Sequence, residues 1–562
     1  MSLEGSAPRT NVGDRVDAGG QLEAPWPSIP AMAEWAFSHH DGEAVVEPGT
    51  SKETRRVTGW PELGRACHRL AEALVSAGLE PGERVGLWAP NGLDWIVAMI
   101  GTHLAGGALV PLSTRYKGRE AAYILGRSRA AFLFAADEFL GTCYPELLEG
   151  HELPDLRFRV VLDESTPGPG DPDRLGPRWR LWWSREEFLA QAGGSEAAHE
   201  VTRRIRARGP EDMSDLMFTS GTTGNPKGVI SAHGQSLRVF EEWSEIVGLG
   251  SEDRYLIVNP MSHTFGYKAG VLASLMRGAT MIPLASFDVD AVLSVIERER
   301  VSILPGPPTL YQSLLDHPRR DEVDLSSLRQ AVTGAAVIPT VLVRRILDDL
   351  GFESVVTAYG LTESCGCITA CRRGDPIETI ALTSGRAFSG VEVKVIDDEG
   401  RPVPSGTPGE ILCRGYNVMV GYFEDAAATA EAVDGQGWLH TGDIGTMDGD
   451  GNVRITDRKK DMFIVGGFNV YPAEVENLLL QHPAVSQAAV VGQPDERMGE
   501  VGVAFVVPAR GQQLEADELN AWARAEMANY KVPRAVEFVD ALPRNPSGKV
   551  LKTVLREDSA RV

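Results

Sequence analysis

The fold class this sequence predicts is α/β: layered α/β units, followed by a smaller α+β unit at the C-terminal end. Three observations predict it. Between Trp60 and Leu162, helical periodicity alternates with short apolar runs, and the alternation resumes after residue 230. From about Val391 the pattern becomes strand-like segments paired around Gly/Pro turns. Past Lys460 it changes again, to a short mixed set of strands and helices.

Residues 1–25 are polar, mixed in charge and rich in Gly and Pro, with no apolar signal core, so they read as a disordered arm. WPELGRACHRLAEALVSAGL, from Trp60, is an amphipathic helix, while ERVGLWA and AAFLFAA are buried strands. The most apolar window, Trp95 to Leu112, contains His103, Gly106, Gly107 and Pro111. A buried helix, a Gly-Gly turn and a short strand account for it better than a membrane span does. Residues Thr166 to Arg180, rich in Pro, Gly and Asp, read as a loop.

SLRVFEEWSEIVGL and TLYQSLLDH are helical, and RYLIVNP, VSILPGPP, LRQAVTG and SVVTAYG are strands that run into small or turn-forming residues. In a parallel sheet, ligands bind beyond the carboxyl ends of the strands. The repetition predicts one pocket lined by Pro260–Lys268, Gly306–Thr309, Gly334–Ala336 and Tyr359–Glu363. VEVKVIDDEG and GEILCRG read as an antiparallel hairpin. DGDGN resembles part of a calcium loop but lacks its closing Glu, and a hairpin turn explains it. DMFIV, PAEVENLLLQH, QAAVVG, VGVAFVV, ADELNAWARAEM and AVEFV make up the last unit, with a boundary at the charged run Arg458–Asp461.

The chain is organised around LMFTSGTTGNPKGVI, Leu216 to Ile230. An apolar strand delivers hydroxyls and glycines, then Lys227, into a loop suited to a polyanion. Glycines let backbone N–H groups approach closely, hydroxyls donate hydrogen bonds, and the lysine adds a point charge. It is not a Walker A loop, because Gly221 and Gly224 lie too close together and Lys227 is followed by glycine.

A net charge of −23 argues against a nucleic-acid partner and against adsorption to anionic lipid. Six cysteines in 562 residues fit a reducing cytoplasm rather than a disulfide framework. Cys365, Cys367 and Cys371 lie close together, but zinc wants four ligands and no fourth is at hand, so they read as small residues on a pocket floor.

Together, TSGTTGNPKG (Thr219–Gly228), YGLTE (Tyr359–Glu363), TGD (Thr441–Asp443), the stretch Asp457–Glu476 and PSGK (Pro546–Lys549) resemble the adenylate-forming superfamily, in order and in spacing. The resemblance runs from about residue 30 to 556. It implies a large N-terminal domain, residues 26–458, of layered α/β subdomains plus a distorted β-barrel, and a small mobile C-terminal α+β domain, residues 459–562. It also implies a two-step ligase. A carboxylate attacks the α-phosphorus of ATP to give an acyl adenylate and pyrophosphate, and after the small domain turns, the thiol of CoA displaces AMP. The carboxylate is ionised at neutral pH, so the first step needs positioned cations and donors rather than a general base.

By the same resemblance, Thr219, Ser220, Gly221, Thr222, Thr223, Gly224 and Lys227 would hold the β- and γ-phosphates. Glu363, with Thr219, would ligate Mg²⁺, which prefers hard oxygen donors. Thr362 would donate to the α-phosphate. Tyr359 would stack on adenine, with Gly334, Ala335, Ala336, Ala358 and Gly360 around the base, and Asp443 and Arg458 would bind the ribose. Lys460 would be the hinge. Lys549 would bridge carboxylate and α-phosphate in the first step only; one such charge at ~4 Å and an effective dielectric of ~20 contributes about 4 kcal/mol. Gly466, Gly467 and Phe468 would face the pantetheine passage, while Lys531 and Arg534 are candidates for the CoA 3′-phosphate, with solvated charges the preferred reading. The acyl pocket would take His263, Phe265, Gly266, Tyr267 and Lys268, with Gly334, Gly360 and Cys365 behind them.

MSHTFGYKAG lacks the Asp that amino-acid-activating relatives carry, which argues against an amino-acid substrate. NPMSHTFGYKAGVLASL, LPGPPTLYQSLLDHP and GGFNVYPAEVE resemble the actinobacterial ligases that activate the propanoate side chain of the hexahydroindane fragment left by steroid degradation. That resemblance implies a bulky bicyclic acid; for Lys268 and Tyr267 ordinary packing is the preferred reading, and contact with a ring oxygen the alternative. A medium- or long-chain fatty acyl-CoA synthetase and an acyl-AMP ligase loading a carrier protein stay open, as does a homodimer. A non-catalytic nucleotide or CoA sensor should have lost Lys227, Glu363 or Lys549, and all three are present.

Overall fold

The computed structural model describes residues 26–49, 54–162, 182–220, 225–334, 338, 340–397, 399–458, 463–470, 472–509, 511–512, 514–543, 550 and 552–559. The expectations placed on Thr166–Arg180, on the arm and on the Arg458–Asp461 boundary fall wholly or largely outside these residues.

The alternating pattern builds two helix-covered sheets. In one, the parallel strands Ala108–Pro111, Arg84–Trp88, Ala130–Ala135, Phe158–Val161 and Trp182–Ser184 run side by side, with Met213–Ser220 parallel to Ala108–Pro111 at the other flank. Met213–Ser220 then turns back as an antiparallel hairpin with Pro226–Ala232, on which the short strand Gly421–Tyr422 pairs. In the other, Ser354–Tyr359, Gln330–Gly334, Ile303–Pro305 and Arg254–Ile257 are consecutive parallel neighbours. Their carboxyl ends therefore share one edge, as the pattern of small terminating residues predicts.

The helices form for local reasons and bury the faces their periodicity marks. Trp60–Ser76 starts with Pro61 and Glu62 in its first turn, and buries Trp60, Leu63, Cys67, Leu70, Ala71 and Leu74. Asp288 caps Val289–Glu299 by accepting from the Ala291 N–H. The apolar window resolves into the helix Leu93–Leu104, a turn with Gly106 at φ 82°, and the fully buried strand Ala108–Pro111. No helix among the described residues is long and apolar enough to cross a membrane.

The third pattern becomes a four-stranded antiparallel sheet, ordered Glu392–Ile396, Gly409–Arg414, Leu439–Met447 and Val453–Arg458. Register shifts at Glu410/Leu412 and Ile444/Gly445 curl it into the distorted barrel. The DGDGN run is its hairpin turn, where Asp448 Oδ1 accepts from the Asp450 and Asn452 N–H groups. From Phe463 onward, a separate sheet of Phe468–Val470, Phe463–Val465, Gly499–Pro508, Val485–Asp495 and Ala535–Phe538 encloses its own apolar clusters.

Two features depart from the sequence pattern. RYLIVNP forms a strand only over Arg254–Ile257. Beyond it the Asn91 side chain takes over as partner, donating to the Ile257 and Asn259 carbonyls at 3.2 and 2.9 Å and accepting from the Met261 N–H at 2.8 Å. The segment after Gly266 is a π-helix, Tyr267–Leu272. A turn widened over so few residues leaves no distinct mark on apolar periodicity.

Candidate active site

The phosphate-loop strand ends beside the YGLTE motif. The Thr219 hydroxyl donates to Glu363 Oε1 at 3.2 Å, and the Tyr422 hydroxyl donates to the same oxygen at 2.9 Å. Lys227, half-buried, places its ammonium 5.1 Å from the centre of the Tyr422 ring. Tyr422 is a residue that motif reading missed. It lies 59 positions from Glu363, and the pairing of Val229 with Tyr422 brings it in. Two oxygen donors, a hydroxyl and a carboxylate, thus converge at the end of the glycine-rich hairpin, a donor set that fits a hard divalent cation. Gly221, Thr222, Thr223 and Gly224 lie outside the described residues, as does the side chain of Ser220.

At the neighbouring strand end, the Tyr359 hydroxyl donates to Asp443 Oδ2 at 2.6 Å. Both side chains are buried, and burial together with the Asp443 charge holds the phenol well above its ordinary range. Asp443 is braced at its own N–H by Thr441 Oγ1, and its backbone stands opposite Arg458 across the antiparallel register. Ala358 pairs with Gly334 along the parallel strands, and Thr362 opens the short helix Thr362–Ser364 that carries Glu363. Gly360 is a place where only glycine fits: a Cβ there would lie 2.3 Å from the Gly366 carbonyl oxygen. Ala335, Ala336, Lys460 and Lys549 lie outside the described residues, and so does the side chain of Arg458.

The acyl-pocket stretch divides by exposure. His263 is exposed and Phe265 half-buried, and the Phe265 N–H donates to His263 Nδ1 at 3.3 Å. Gly266 packs so closely on the preceding turn that a Cβ would meet the Pro260 carbonyl oxygen at 2.4 Å. Tyr267 and Lys268 are buried, and both have protein partners. The Tyr267 hydroxyl meets His103 Nε2 at 3.0 Å. The Lys268 ammonium lies 3.0 Å from Asp215 Oδ1, donates to Ser231 Oγ at 3.0 Å, and reaches Cys365 Sγ at 3.5 Å. Burial works against that ammonium, but the Asp215 charge and the hydrogen bonds to Asp215 and Cys365 outweigh it and hold Lys268 above its ordinary range. Asp215 is a second residue that the motifs did not reveal, since a lone acid inside an apolar strand carries no chemical signature. Cys365 sits at φ 54°, just after the Glu363 helix, while Cys371 lies 3.0 Å from the Thr357 hydroxyl.

Residues 466–468 form the tip of a hairpin aimed at the large lobe. Gly466 and Gly467 turn the chain at φ 55° and 84°, and a Cβ on Gly467 would lie 3.6 Å from Pro307. Phe468 lies under the Arg115 guanidinium, 4.4 Å from its ring centre, and stacks on Tyr530. Lys531, read from sequence as solvated, is buried between Glu120 and Glu474. Two carboxylates drawn from distant segments replace the water a lone lysine would need.

The AMP-binding enzyme family matches residues 32–423, and the AMP-binding enzyme C-terminal domain matches residues 474–549. The chain is similar to a (7a-methyl-1,5-dioxo-octahydro-1H-inden-4-yl)propanoyl:CoA ligase of Mycobacterium tuberculosis, with 51% identity over 90% of this chain and 94% of that protein. A ligase of the same name from Rhodococcus jostii is 50% identical over 87% of this chain and 91% of its own length. Among solved structures, an amide bond synthetase from Marinactinospora thermotolerans superposes with a TM-score of 0.79 at 31% identity, covering 94% of this chain and 99% of its own. An o-succinylbenzoate CoA synthetase double mutant from Bacillus subtilis, bound with a product analogue, reaches 0.75 at 27% identity over 94% and 98%. The chain belongs to the AMP-binding enzyme family, as an AMP-forming acyl-CoA synthetase.

Proposed function

We propose that the acid this synthetase activates is a bulky ring-bearing propanoate of the kind produced when a steroid skeleton is degraded, and that the reaction runs in the cytoplasm. The observation that carries the reading is the half-identity, over nine-tenths of the chain, to a ligase named for a methylated, dioxygenated bicyclic propanoate. The acyl stretch supports it: His263 and Phe265 offer a polar edge and an aromatic face, while Tyr267 and Lys268 stiffen the wall behind them.

In the first half-reaction the carboxylate oxygen bonds to the α-phosphorus and pyrophosphate leaves. Lys227 and the donors of Thr219–Gly224 hold the departing phosphates, and Thr362 steadies the α-phosphate. Thr219 and Glu363 would hold Mg²⁺, which, when bound, screens the triphosphate's charge. The Tyr359–Asp443 pair presents a flat ring to the adenine and a carboxylate to the ribose. Lys549 approaches only for this step, and the lobe then turns about Lys460. In the second half-reaction the CoA sulfur bonds to the acyl carbon, the acyl–phosphate bond breaks and AMP departs, with the thiol reaching the site along Gly466–Phe468.

The test is pyrophosphate release across a panel of acids, with and without CoA. Ring-bearing propanoates should be turned over faster than straight-chain acids, with one thioester formed per pyrophosphate released. Faster turnover of straight-chain acids would overturn the substrate, and pyrophosphate release without CoA consumption would overturn CoA as acceptor. Lys549→Ala should abolish adenylation, a loss of roughly three orders of magnitude for one ~4 kcal/mol contact. Thioester formation from a pre-made acyl adenylate should be largely spared.

A further inference from the structure

Glu120, Glu474 and Lys531 form a buried three-charge cluster where the C-terminal lobe meets the large one. Lys531 Nζ donates at 2.7 Å to Glu120 Oε1 and at 2.7 Å to Glu474 Oε1. The lysine side chain is 4% exposed, and the two carboxylates 10% and 12%. The ammonium also lies 5.1 Å from the Tyr116 ring and 5.8 Å from the Tyr530 ring, so aromatic faces close the site around it.

The cluster is divided unequally between the lobes. Glu474, in the first turn of Pro472–Leu479, and Lys531 both belong to the C-terminal lobe and travel together. Glu120 belongs to the helix Gly118–Arg127 of the large lobe. Its second oxygen accepts from the Lys117 N–H at 2.9 Å, so the carboxylate is oriented before the lobe arrives. Beside it, Arg115 covers Phe468, and Phe468 stacks on Tyr530 at 4.7 Å between ring centres. The patch that engages Lys531 therefore also fixes the turn whose tip lies against Pro307, at the carboxyl edge of the parallel sheet.

We propose that Glu120 is a positioning residue for the thiol-transfer half-reaction, holding the C-terminal lobe through Lys531 in the pose that brings Gly466–Phe468 to the acyl pocket. This rests on the two-step reading above. An interaction present in one pose and absent from another shifts the balance between them by its own free energy. When the lobe turns for adenylation, Lys531 leaves with Glu474, and Glu120 keeps only its helix cap. Its charge therefore favours one half-reaction and not the other.

Glu120→Gln tests this in the full chain, because glutamine also serves as the third-position partner of a helix cap while the charge is lost. Thioester formation from a pre-made acyl adenylate and CoA, in a single turnover, should slow by about tenfold or more. Acid-dependent pyrophosphate exchange should stay within about twofold of the parent. Arg115→Ala, which leaves the charge cluster intact, should slow the same step and spare the other. Equal losses in both half-reactions would overturn the positioning role. If the parent enzyme formed no thioester with any acid, the ligase reading would fail and the positioning role with it. A parent that forms thioester while Glu120→Gln is no slower would leave the ligase reading standing and remove this role alone.

Discussion

The Tyr359 hydroxyl donates to Asp443, 2.6 Å away and itself buried. Tyr359→Phe keeps the ring and removes the donor, leaving a buried carboxylate short of one partner. A lost hydrogen bond to a charged group costs about 1.5–3 kcal/mol, so kcat/KM for ATP should fall by roughly one to two orders of magnitude. The KM for the acid should not move. Lys268 and Asp215 show a different dependence. Removing one member of a buried pair costs about 3–5 kcal/mol because the other is left uncompensated. Lys268→Met should lower unfolding stability by that amount in urea, and adding Asp215→Asn should recover much of it, since Ser214 still donates to that side chain. Additive losses would show that the two charges are not coupled. The roles expected of Thr219, Glu363, Tyr359 and Asp443 came from the resemblance of their motifs to the adenylate-forming superfamily. Asp215, Tyr422 and Glu120 were not legible in it, since each gains its role from a partner far away in sequence.

Among the elements, the four parallel strands that end together at the pocket edge were readable because small terminating residues mark each of them. What lies just beyond those ends was less readable. Asn91 fastens the turn after Ile257, and the widened helix Tyr267–Leu272 carries Lys268 to Asp215. A tight joint at the site is Gly360, between the strand Ser354–Tyr359 and the Glu363 turn, where an added Cβ meets the backbone of Gly366 and Cys367 within 2.6 Å. Backbone cannot move aside as a side chain does, so Gly360→Ala should cost about 1–3 kcal/mol of stability and raise the KM for ATP, by shifting Tyr359 and Thr362 together. Unchanged stability in urea would show that the turn yields more easily than its contacts imply.

Across the whole molecule, buried histidines set an acid limit. His103 is fully buried against Tyr267 and 5.5 Å from His233, and burial holds its imidazole down at about 4 from an ordinary 6.5. The unfolded chain takes up a proton near pH 6.5 while the folded chain resists until about pH 4. Stability is therefore whole above pH 6.5 and falls as pH drops through that window, by roughly 3 kcal/mol for this group alone. Urea midpoints measured between pH 7.5 and 5 should decline on acidification. His103→Gln, which cannot titrate, should flatten the slope; an unchanged slope would remove His103 as its source.

The sequence by itself determined the alternation of helices and strands and the edge at which four parallel strands end, because those depend on short-range patterns of periodicity and turn residues, while the class of reaction came from the resemblance of its motifs, in order and spacing, to the adenylate-forming superfamily. Only the tertiary structure decided which charges are solvated and which are paired. Lys531 looks in sequence like any surface lysine, yet it is buried because Glu120, 411 positions away, and Glu474, 57 positions away, converge on it. The free energy of a charge depends on what replaces its water, and that is a property of the folded neighbourhood, not of the residues on either side in the chain.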